Sequence, residues 1–309
     1  MILLLGSLVV HAGQAGAQEA RTTVAVFVDN DYFVFWRPPQ ERTDTDFTHG
    51  TRVSWTMGPP ESIKSSALCR RSDACGLFIE FGQELYTPGV EGPSPVPGER
   101  PFAGWLYSSV TASSVKDRRY RGVELTLGVT GPVALAEESQ EWLHRAIPKF
   151  RRPVGWGNQL STELAFAVVA SQSWGVPLLR QGSFAIIGVP EVAVGAGTLR
   201  SSLGTGVRVR AGYNVPDPWR GRSAARISLV AFAGLKGELL ANSLFLSGNT
   251  YRGSVRVDPS HALGEWERGI GVRLGSLSIE HRVTTRTREY RAGAATHSYG
   301  SIGMMWSPR

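Results

Sequence analysis

The sequence predicts an all-β protein, a transmembrane antiparallel β-barrel of about twelve strands with a short helix in one extracellular loop. A composition rich in glycine and aromatic residues, period-two alternation along most of the chain, and one clear break in that period support this prediction. The 309 residues include 36 Gly, 9 Trp, 8 Tyr and 12 Phe, and only 19% are charged, which favours short strands linked by turns over helices. A chain this long that is 42% apolar is neither disordered nor a small disulfide scaffold.

The N-terminal segment predicts export. Residues 2–10 are almost wholly apolar, and Ala15-Gly16-Ala17 follows as a small-x-small cleavage pattern. We therefore expect residues 1–17 to be a signal peptide and residues 18–309 to form one outer-membrane barrel domain. In an oxidising compartment Cys69 and Cys75 could close a small loop, whereas a zinc site would need further ligands nearby.

The alternation admits two folds. Val123, Leu125 and Leu127 alternate with Glu124 and Thr126, and comparable segments recur along the chain. In a soluble β-sandwich the apolar face would form the core, whereas in an outer-membrane barrel it would meet lipid and the charges would meet inside. Charges of both signs at the polar positions, and Trp and Tyr near strand ends, favour the barrel.

Turn residues divide the chain into twelve predicted strands. One of them is irregular, because the apolar parity changes between Leu274 and Leu277, so that Gly275-Ser276 is either a bulge or a turn. An even number of strands, with both chain ends periplasmic, suits an outer-membrane barrel. The predicted strands lie near 23–35, 48–57, 76–86, 103–112, 120–129, 159–170, 182–194, 201–213, 225–235, 250–257, 267–285 and 295–306.

The break in period two lies between the fifth and sixth predicted strands. Gly131-Pro132 supplies a turn, good helix formers follow, and Pro148 ends the run, so residues 134–147 are predicted to form a helix. Gln140 and His144 are four residues apart and share one face of it. In the simpler interpretation Gln140 is solvated and His144 stabilises the negative end of the helix. A helix in an extracellular loop nevertheless suggests a function.

Other polar groups are predicted to lie near that loop. Asn30-Asp31 follows the apolar run of the first strand, and Thr48 and His49 open the second, so adjacent strand ends bring them together. An Asn-Asp pair is often a plain turn. Its hard oxygens could instead bind Ca²⁺, and a histidine with a water molecule could act as a general base. No Gly-x-Ser-x-Gly nucleophile elbow is present, which argues against an α/β-hydrolase.

Several sequence blocks, in order, resemble a known family, the lipid A 3′-O-deacylases of the outer membrane (the LpxR family). Together they span most of the mature chain and are specific, although each is weak alone. The chain departs from the family pattern at Glu99, in two Phe-for-Tyr replacements, and at a C-terminus without a final aromatic residue. The blocks are Asp29-Asn30-Asp31, Phe47-Thr48-His49-Gly50, Gln83-Glu84-Leu85-Tyr86-Thr87-Pro88, Arg100-Pro101-Phe102-Ala103-Gly104-Trp105, and Gly131-Pro132 through Gln140, His144, Gly155-Trp156 and Gln159-Leu160 to Glu163.

The resemblance implies a twelve-stranded barrel with its active site between the wall and the helical outer loop, facing lipopolysaccharide. It also implies Ca²⁺-dependent hydrolysis of the 3′-linked acyl chains of lipid A. His144 would activate water, Asn30 and Asp31 would hold the metal, Thr48 would lie beside metal and substrate, and Gln140 would accompany His144 on the helix.

Charge adds one candidate residue and excludes little. Arg100, in the second outer loop, could bind a lipid A phosphate or the oxyanion, or it could be a surface arginine with no role. A net charge of +7 suits an anionic glycolipid, but it would equally suit a nucleic acid. The aromatic-basic interleaving of nucleic-acid-binding sheets is missing, so no nucleic-acid partner is expected, and the protein is expected to be a monomer.

Two alternatives remain at this stage. A non-catalytic barrel, either a pore or a structural protein, would have the same strand pattern, although paired Arg and Glu at this strand number predict a plugged lumen. A serine-type lipid A deacylase would use His297-Ser298 near the end of the last strand instead of His144.

Overall fold

The computed structural model describes residues 22–38, 45–146, 154–219 and 225–308. The predicted signal peptide lies outside these ranges. The described chain forms one antiparallel sheet whose first and last strands pair with each other, so that the sheet closes into a barrel. Its strands are β1 Thr23–Asn30, β2 Asp46–Met57, β3 Ala74–Thr87, β4 Ala103–Lys116, β5 Arg119–Thr130, β6 Leu164–Trp174, β7 Val176–Gln181, β8 Phe184–Ala196, β9 Arg200–Tyr213, β10 Ile227–Ser243, β11 Ala262–Leu274, β12 Leu277–Thr287 and β13 Thr296–Trp306.

The barrel has twelve strand positions because β6 and β7 share one. Both pair with β8, the first along its outer half and the second along its lower half, and Gly175 interrupts them. Short helices within the described ranges are α1 Glu61–Lys64, α2 Ala136–Ala146 and α3 Leu244–Ser247. No helix among the described residues is long and apolar enough to cross a bilayer.

Two of the twelve predicted strands are wrong, and the two errors compensate in the strand count; other bounds differ by a few residues, as at β1, which ends at Asn30 instead of residue 35. The predicted strand 250–257 lies in the loop between β10 and β11, where the Val257 amide donates to the Leu246 carbonyl of α3. The irregular segment 267–285 is instead two strands joined by a tight turn, with Gly275 at φ 62°. The parity change at Gly275-Ser276 therefore marks a turn and not a bulge.

The wall confirms the outer-membrane arrangement of the two faces. On β5, Val123, Leu125 and Leu127 are exposed on the outside, whereas Glu124 and Thr126 are buried within. The ends of the described chain and the tight turns after β4, β7 and β11 share one end of the barrel, which in this class is the periplasmic end, and the long connection between β5 and β6 lies at the other. Near the periplasmic end, Cys69 and Cys75 form a disulfide with a Cα separation of 5.7 Å.

Ion pairs fill the lumen. Arg208 Nε and Nη2 each donate to a carboxylate oxygen of Glu267 at 2.7 Å, and Arg286 Nε lies 3.3 Å from Glu265. Arg200 pairs with Glu238 in the same bidentate way. These paired charges stand where a conducting channel would hold water, so the structure supports the predicted plugged lumen.

Glu267→Gln is expected to destabilise the barrel by about 3–5 kcal/mol, because it leaves Arg208 buried opposite a neutral amide. The measurement is the urea unfolding midpoint of the refolded barrel, followed by tryptophan fluorescence. Glu61→Gln is the control: Glu61 forms an exposed pair with Lys64 at 2.7 Å and should contribute less than about 1 kcal/mol. Equal effects of the two substitutions would contradict a stabilising role for the lumen pairs.

Candidate active site on the outer wall

The outer third of the wall is covered on its outer face at β3 and β4. Leu85 and Thr87 point outward by strand parity, yet both are fully buried. Leu85 forms one apolar cluster with Phe102, Ala136 and Trp156, which come from the outer loops and α2. The long loop between β5 and β6 therefore folds back onto the lipid-facing side of the barrel.

Small residues let this loop approach the wall closely. Gln83, outward-facing on β3, donates from Nε2 to the Ala134 carbonyl at 2.6 Å. A Cβ added at Gly104 of β4 would lie 2.5 Å from the Cβ of Ala136 and 3.1 Å from that of Ala134. The absence of a side chain at Gly104 thus sets the distance between α2 and the wall.

Gly104→Val is expected to push α2 off the wall and to lower turnover at least about tenfold while the barrel still closes, because misplaced catalytic groups cost large factors in rate. Acyl-chain release and heat-modifiable migration on gels measure the two effects separately. Gly237→Val is a matched control, since a Cβ added at Gly237 would meet no atom of the described residues within 4 Å. Full activity of Gly104→Val would show that the close approach is unimportant.

Helix α2 turns one polar face toward the wall. Gln140 is 2% exposed and His144 is 6% exposed, whereas Trp142 is 67% exposed on the other side. Gln140 Oε1 accepts a hydrogen bond from Trp156 Nε1 at 2.8 Å, and its Nε2 is buried with no hydrogen-bond partner in the described part of the chain. The interpretation with a solvated Gln140 is therefore wrong. The helix spans 136–146, slightly inside the predicted 134–147, and Ile147 lies outside the described residues.

The loop that carries α2 is anchored where it rejoins the barrel. The Glu163 carboxylate accepts hydrogen bonds from the Thr250 amide at 3.0 Å and from Asn249 Nδ2 at 3.1 Å. Burial alone would raise the pKa of Glu163, but these hydrogen bonds outweigh it and hold the pKa below its ordinary value. An ionised Glu163 thus joins the loop that carries α2 to the loop between β10 and β11.

The residues predicted at the ends of β1 and β2 do come together. Asn30 Nδ2 donates to the Thr48 carbonyl at 3.1 Å, and Asn30 Oδ1 accepts from the Tyr32 amide at 2.8 Å, which caps the short 3-10 turn 31–33. Asp31 is buried in that turn. Thr48 lies at a β-bulge, and its hydroxyl is 2.6 Å from that of Thr87 on β3.

Thr87 lies next to both groups of candidate residues. Its hydroxyl is bonded to that of Thr48, and Leu85, two residues away on β3, packs beneath α2. The candidate residues therefore lie at the outer ends of β1 and β2 and on the helix that covers β3. Thr87 and Trp156 both lie in sequence blocks that resemble the deacylase family, but nothing in their local sequence indicates the contacts that they make.

The available donors suit a hard cation more than a soft one. Among the residues that the structure describes, no cluster of three or more His, Cys, Asp and Glu side chains could hold a metal. The buried Asp31 carboxylate, the Asn30 amide and neighbouring hydroxyl and carbonyl groups are oxygen donors of the kind that Ca²⁺ prefers. By donor chemistry these residues fit Ca²⁺.

Arg100 lies inside the barrel mouth. It is 3% exposed, its Nη1 is 3.2 Å from Glu289 and 3.5 Å from Asp46, and its guanidinium lies over the Tyr86 ring. Burial alone would raise the pKa of Glu289, but Arg100 and Arg286 hold it below its ordinary value. Arg100 is therefore not a surface arginine, and carboxylates already occupy the position where a phosphate would bind.

The pair His297-Ser298 does not form a serine-type site. His297 points inward, where its Nε2 is 3.2 Å from the Phe47 carbonyl. Ser298 points outward and hydrogen-bonds Thr285 at 2.8 Å and Arg37 at 2.9 Å. Adjacent residues of a strand lie on opposite faces, so this histidine cannot activate this serine.

The fold and the site define an outer-membrane β-barrel protein with a buried polar site between its lipid-facing wall and a helical loop. The model of the family described as outer membrane protein LpxR matches residues 1–307. The chain belongs to the LpxR family, and its location is the outer membrane.

A solved structure of high similarity has the same barrel fold. The structure of LpxR from Salmonella typhimurium is 20% identical, covers 92% of this chain and 99% of its own, and superposes with a TM-score of 0.77. The translocator domain of the autotransporter NalP from Neisseria meningitidis is 10% identical over 98% of this chain and 94% of its own, with a TM-score of 0.47. Comparison with curated protein sequences gives no match.

Proposed function

We propose that this protein is a carboxylic ester hydrolase that removes the 3′-linked acyloxyacyl chain of lipid A. Family membership and the barrel fold support an outer-membrane enzyme of this kind. The observation that carries the proposal is the polar face of α2, which buries Gln140 and His144 against the outer wall. Buried polar groups on the membrane-facing side of the wall suit a substrate that enters from the lipid leaflet.

His144 acts as the general base. One ring nitrogen accepts a proton from a water molecule as the water oxygen attacks the ester carbonyl. The same proton then passes to the sugar oxygen as the carbon–oxygen bond breaks, which leaves a fatty acid and a free hydroxyl. General-base catalysis of this kind contributes about 10²–10⁴-fold in rate.

The neighbouring groups orient the reaction. Gln140, fixed by Trp156, keeps its buried Nε2 as a donor on the same face of α2 as His144. Asn30 and Asp31 would hold the proposed Ca²⁺, and Thr48 lies next to them. When bound, the cation supplies charge stabilisation for the developing oxyanion, an effect of several kcal/mol. A buried and preorganised site makes such stabilisation larger than it would be in water.

Mass spectrometry of lipid A tests the reaction and its position together. We expect lipid A from Gram-negative cells that express this protein to lose the mass of one acyloxyacyl unit from the 3′ position, as located by fragmentation. Cells that carry the empty vector are the control. Unchanged lipid A, despite a folded barrel in the outer membrane, would contradict the proposal and favour a non-catalytic barrel.

A further inference from the structure

The segment that follows β1 covers part of the outer face of β13 and β12, whereas α2 covers β3 and β4 on the other side of β1. We call residues 31–37 the outer strap. A Cβ added at Gly300, which faces outward on β13, would lie 2.5 Å from the Phe33 carbonyl oxygen. That carbonyl also lies 3.0 Å from His281 Nε2, and Phe35 stacks on the His281 ring at 5.1 Å. The outer strap therefore crosses β13 and β12 on the lipid-facing side.

The end of the strap meets an arginine on β11. The Arg268 guanidinium lies 4.6 Å from the centre of the Trp36 ring. Arg268 points outward by strand parity, because its neighbours Glu265 and Glu267 are buried in the lumen while Trp266 and Ile270 are exposed outside. Arg268 is itself exposed, and no carboxylate pairs with it among the described residues.

A cation on the lipid-facing wall requires an explanation. Arginine on that face of a barrel is unfavourable unless it reaches an interface or an anion. The Trp36 ring offers a cation–π contact but no opposite charge. The anions of the outer leaflet are the phosphates of its glycolipid, and a planar guanidinium binds phosphate through paired hydrogen bonds.

The ladder of the sheet relates Arg268 to the site. Arg268 is opposite Val283, Val283 is opposite Gly300, and Gly300 is opposite Asn30. Three inter-strand spacings separate Arg268 from Asn30, roughly 14 Å along the sheet. This distance is longer than a single sugar and suits a disaccharide headgroup laid across the strap.

We propose that Arg268, stacked on Trp36, binds the lipid A phosphate on the sugar distal to the hydrolysed ester, the 1-phosphate. This inference rests on the proposed function, because it takes the ester to lie beside Asn30 and His144. It assigns to the outer strap the role of positioning the headgroup. It also replaces Arg100, whose guanidinium faces carboxylates inside the barrel, as the phosphate-binding arginine.

The test compares Arg268→Gln with the wild type on three substrates in detergent micelles: bisphosphorylated lipid A, its 1-dephospho form and its 4′-dephospho form. With the bisphosphorylated and 4′-dephospho substrates we expect KM to rise about tenfold or more while kcat stays the same. With the 1-dephospho substrate, wild type and variant should agree. The KM of Arg268→Lys should fall between those of the wild type and Arg268→Gln, because lysine keeps the positive charge but lacks the planar guanidinium that binds phosphate through two hydrogen bonds.

Arg121→Gln is the matched control, since Arg121 also points outward but lies near the periplasmic end of β5. Its kinetics should equal those of the wild type on every substrate. The proposal is overturned if Arg268→Gln leaves KM unchanged on every substrate, or if it raises KM by the same factor on all three. It is also overturned if wild type and variant agree on the 4′-dephospho substrate and differ on the 1-dephospho substrate.

Binding of the same three lipids to the immobilised barrel, measured as the amount retained, tests this inference separately from the proposed function, because binding does not require hydrolysis. If the wild type releases no acyl chain, the proposed function fails. Loss of retention on Arg268→Gln that depends on the 1-phosphate would still support the phosphate site. Retention that is equal for wild type and variant overturns the inference even when the wild type is active.

Discussion

His144→Ala is expected to lower acyl-chain release by about 10²–10⁴-fold while leaving a closed barrel. His144 is buried on α2, so the substitution deletes the proposed base without altering a residue of a strand or of a lumen ion pair. The measurement is fatty-acid release from purified lipopolysaccharide in detergent. Heat-modifiable migration on gels reports whether the barrel has folded.

Arg145→Ala is the matched control for this substitution. Arg145 is adjacent on the same helix but points to solvent, where it forms an exposed ion pair with Glu141 at 3.9 Å. It should retain nearly full activity. A His144→Ala variant that hydrolyses at the wild-type rate would remove the histidine from the mechanism, whereas equal losses in both variants would indicate damage to the helix as a whole.

Chelation is expected to abolish turnover, and added Ca²⁺ is expected to restore it. The proposed cation stabilises the oxyanion by several kcal/mol, which corresponds to a rate loss of at least about 10²-fold when it is removed. The measurement is acyl release after treatment with EGTA, followed by titration with CaCl₂. Activity that persists in excess chelator would remove the metal from the mechanism.

Asp31→Asn tests whether the proposed Ca²⁺ binds at Asp31. The substitution keeps the size of the side chain and removes its charge, so the Ca²⁺ concentration that gives half-maximal activity should rise by at least about tenfold. Asp217→Asn is the control, because this aspartate belongs to the periplasmic loop after β9, far along the strands from the site, where it accepts from the Trp219 amide. An unchanged Ca²⁺ requirement in Asp31→Asn would place the cation elsewhere.

Most of the barrel could be predicted because apolar and polar residues alternate along each strand of its wall. Val123 to Leu127 shows the pattern, and the structure confirms that the apolar face is the outer one. The same local signal failed at 250–257, because an extended loop and a strand alternate alike and only pairing with a neighbour distinguishes them. The predicted strand 267–285 is two strands for the same reason: the chain turns at Gly275, and β11 and β12 pair with each other.

The candidate site was predictable in its residue types more than in its contacts. Asn30 and Thr48 were expected to meet because adjacent strand ends are neighbours, and they do. Thr87 and Trp156 were missed as contacts of that site, since Thr48–Thr87 and Gln140–Trp156 depend on a bulge and on the return path of a loop. Arg100 and Arg268 are the same residue type, and only the fold places Arg100 inside the barrel mouth and Arg268 on the outer face of β11.

Residue spacing within short stretches of the chain was enough to predict a lipid-facing barrel, its inward charges, and a short helix bearing Gln140 and His144. Three further arrangements became known only from the packed fold: this helix lies on the outside of β3 and β4, the strap after β1 covers β13, and Arg268 faces lipid. Those arrangements arise where loops return to strands distant in the chain, and contacts between such distant residues leave no period in the sequence.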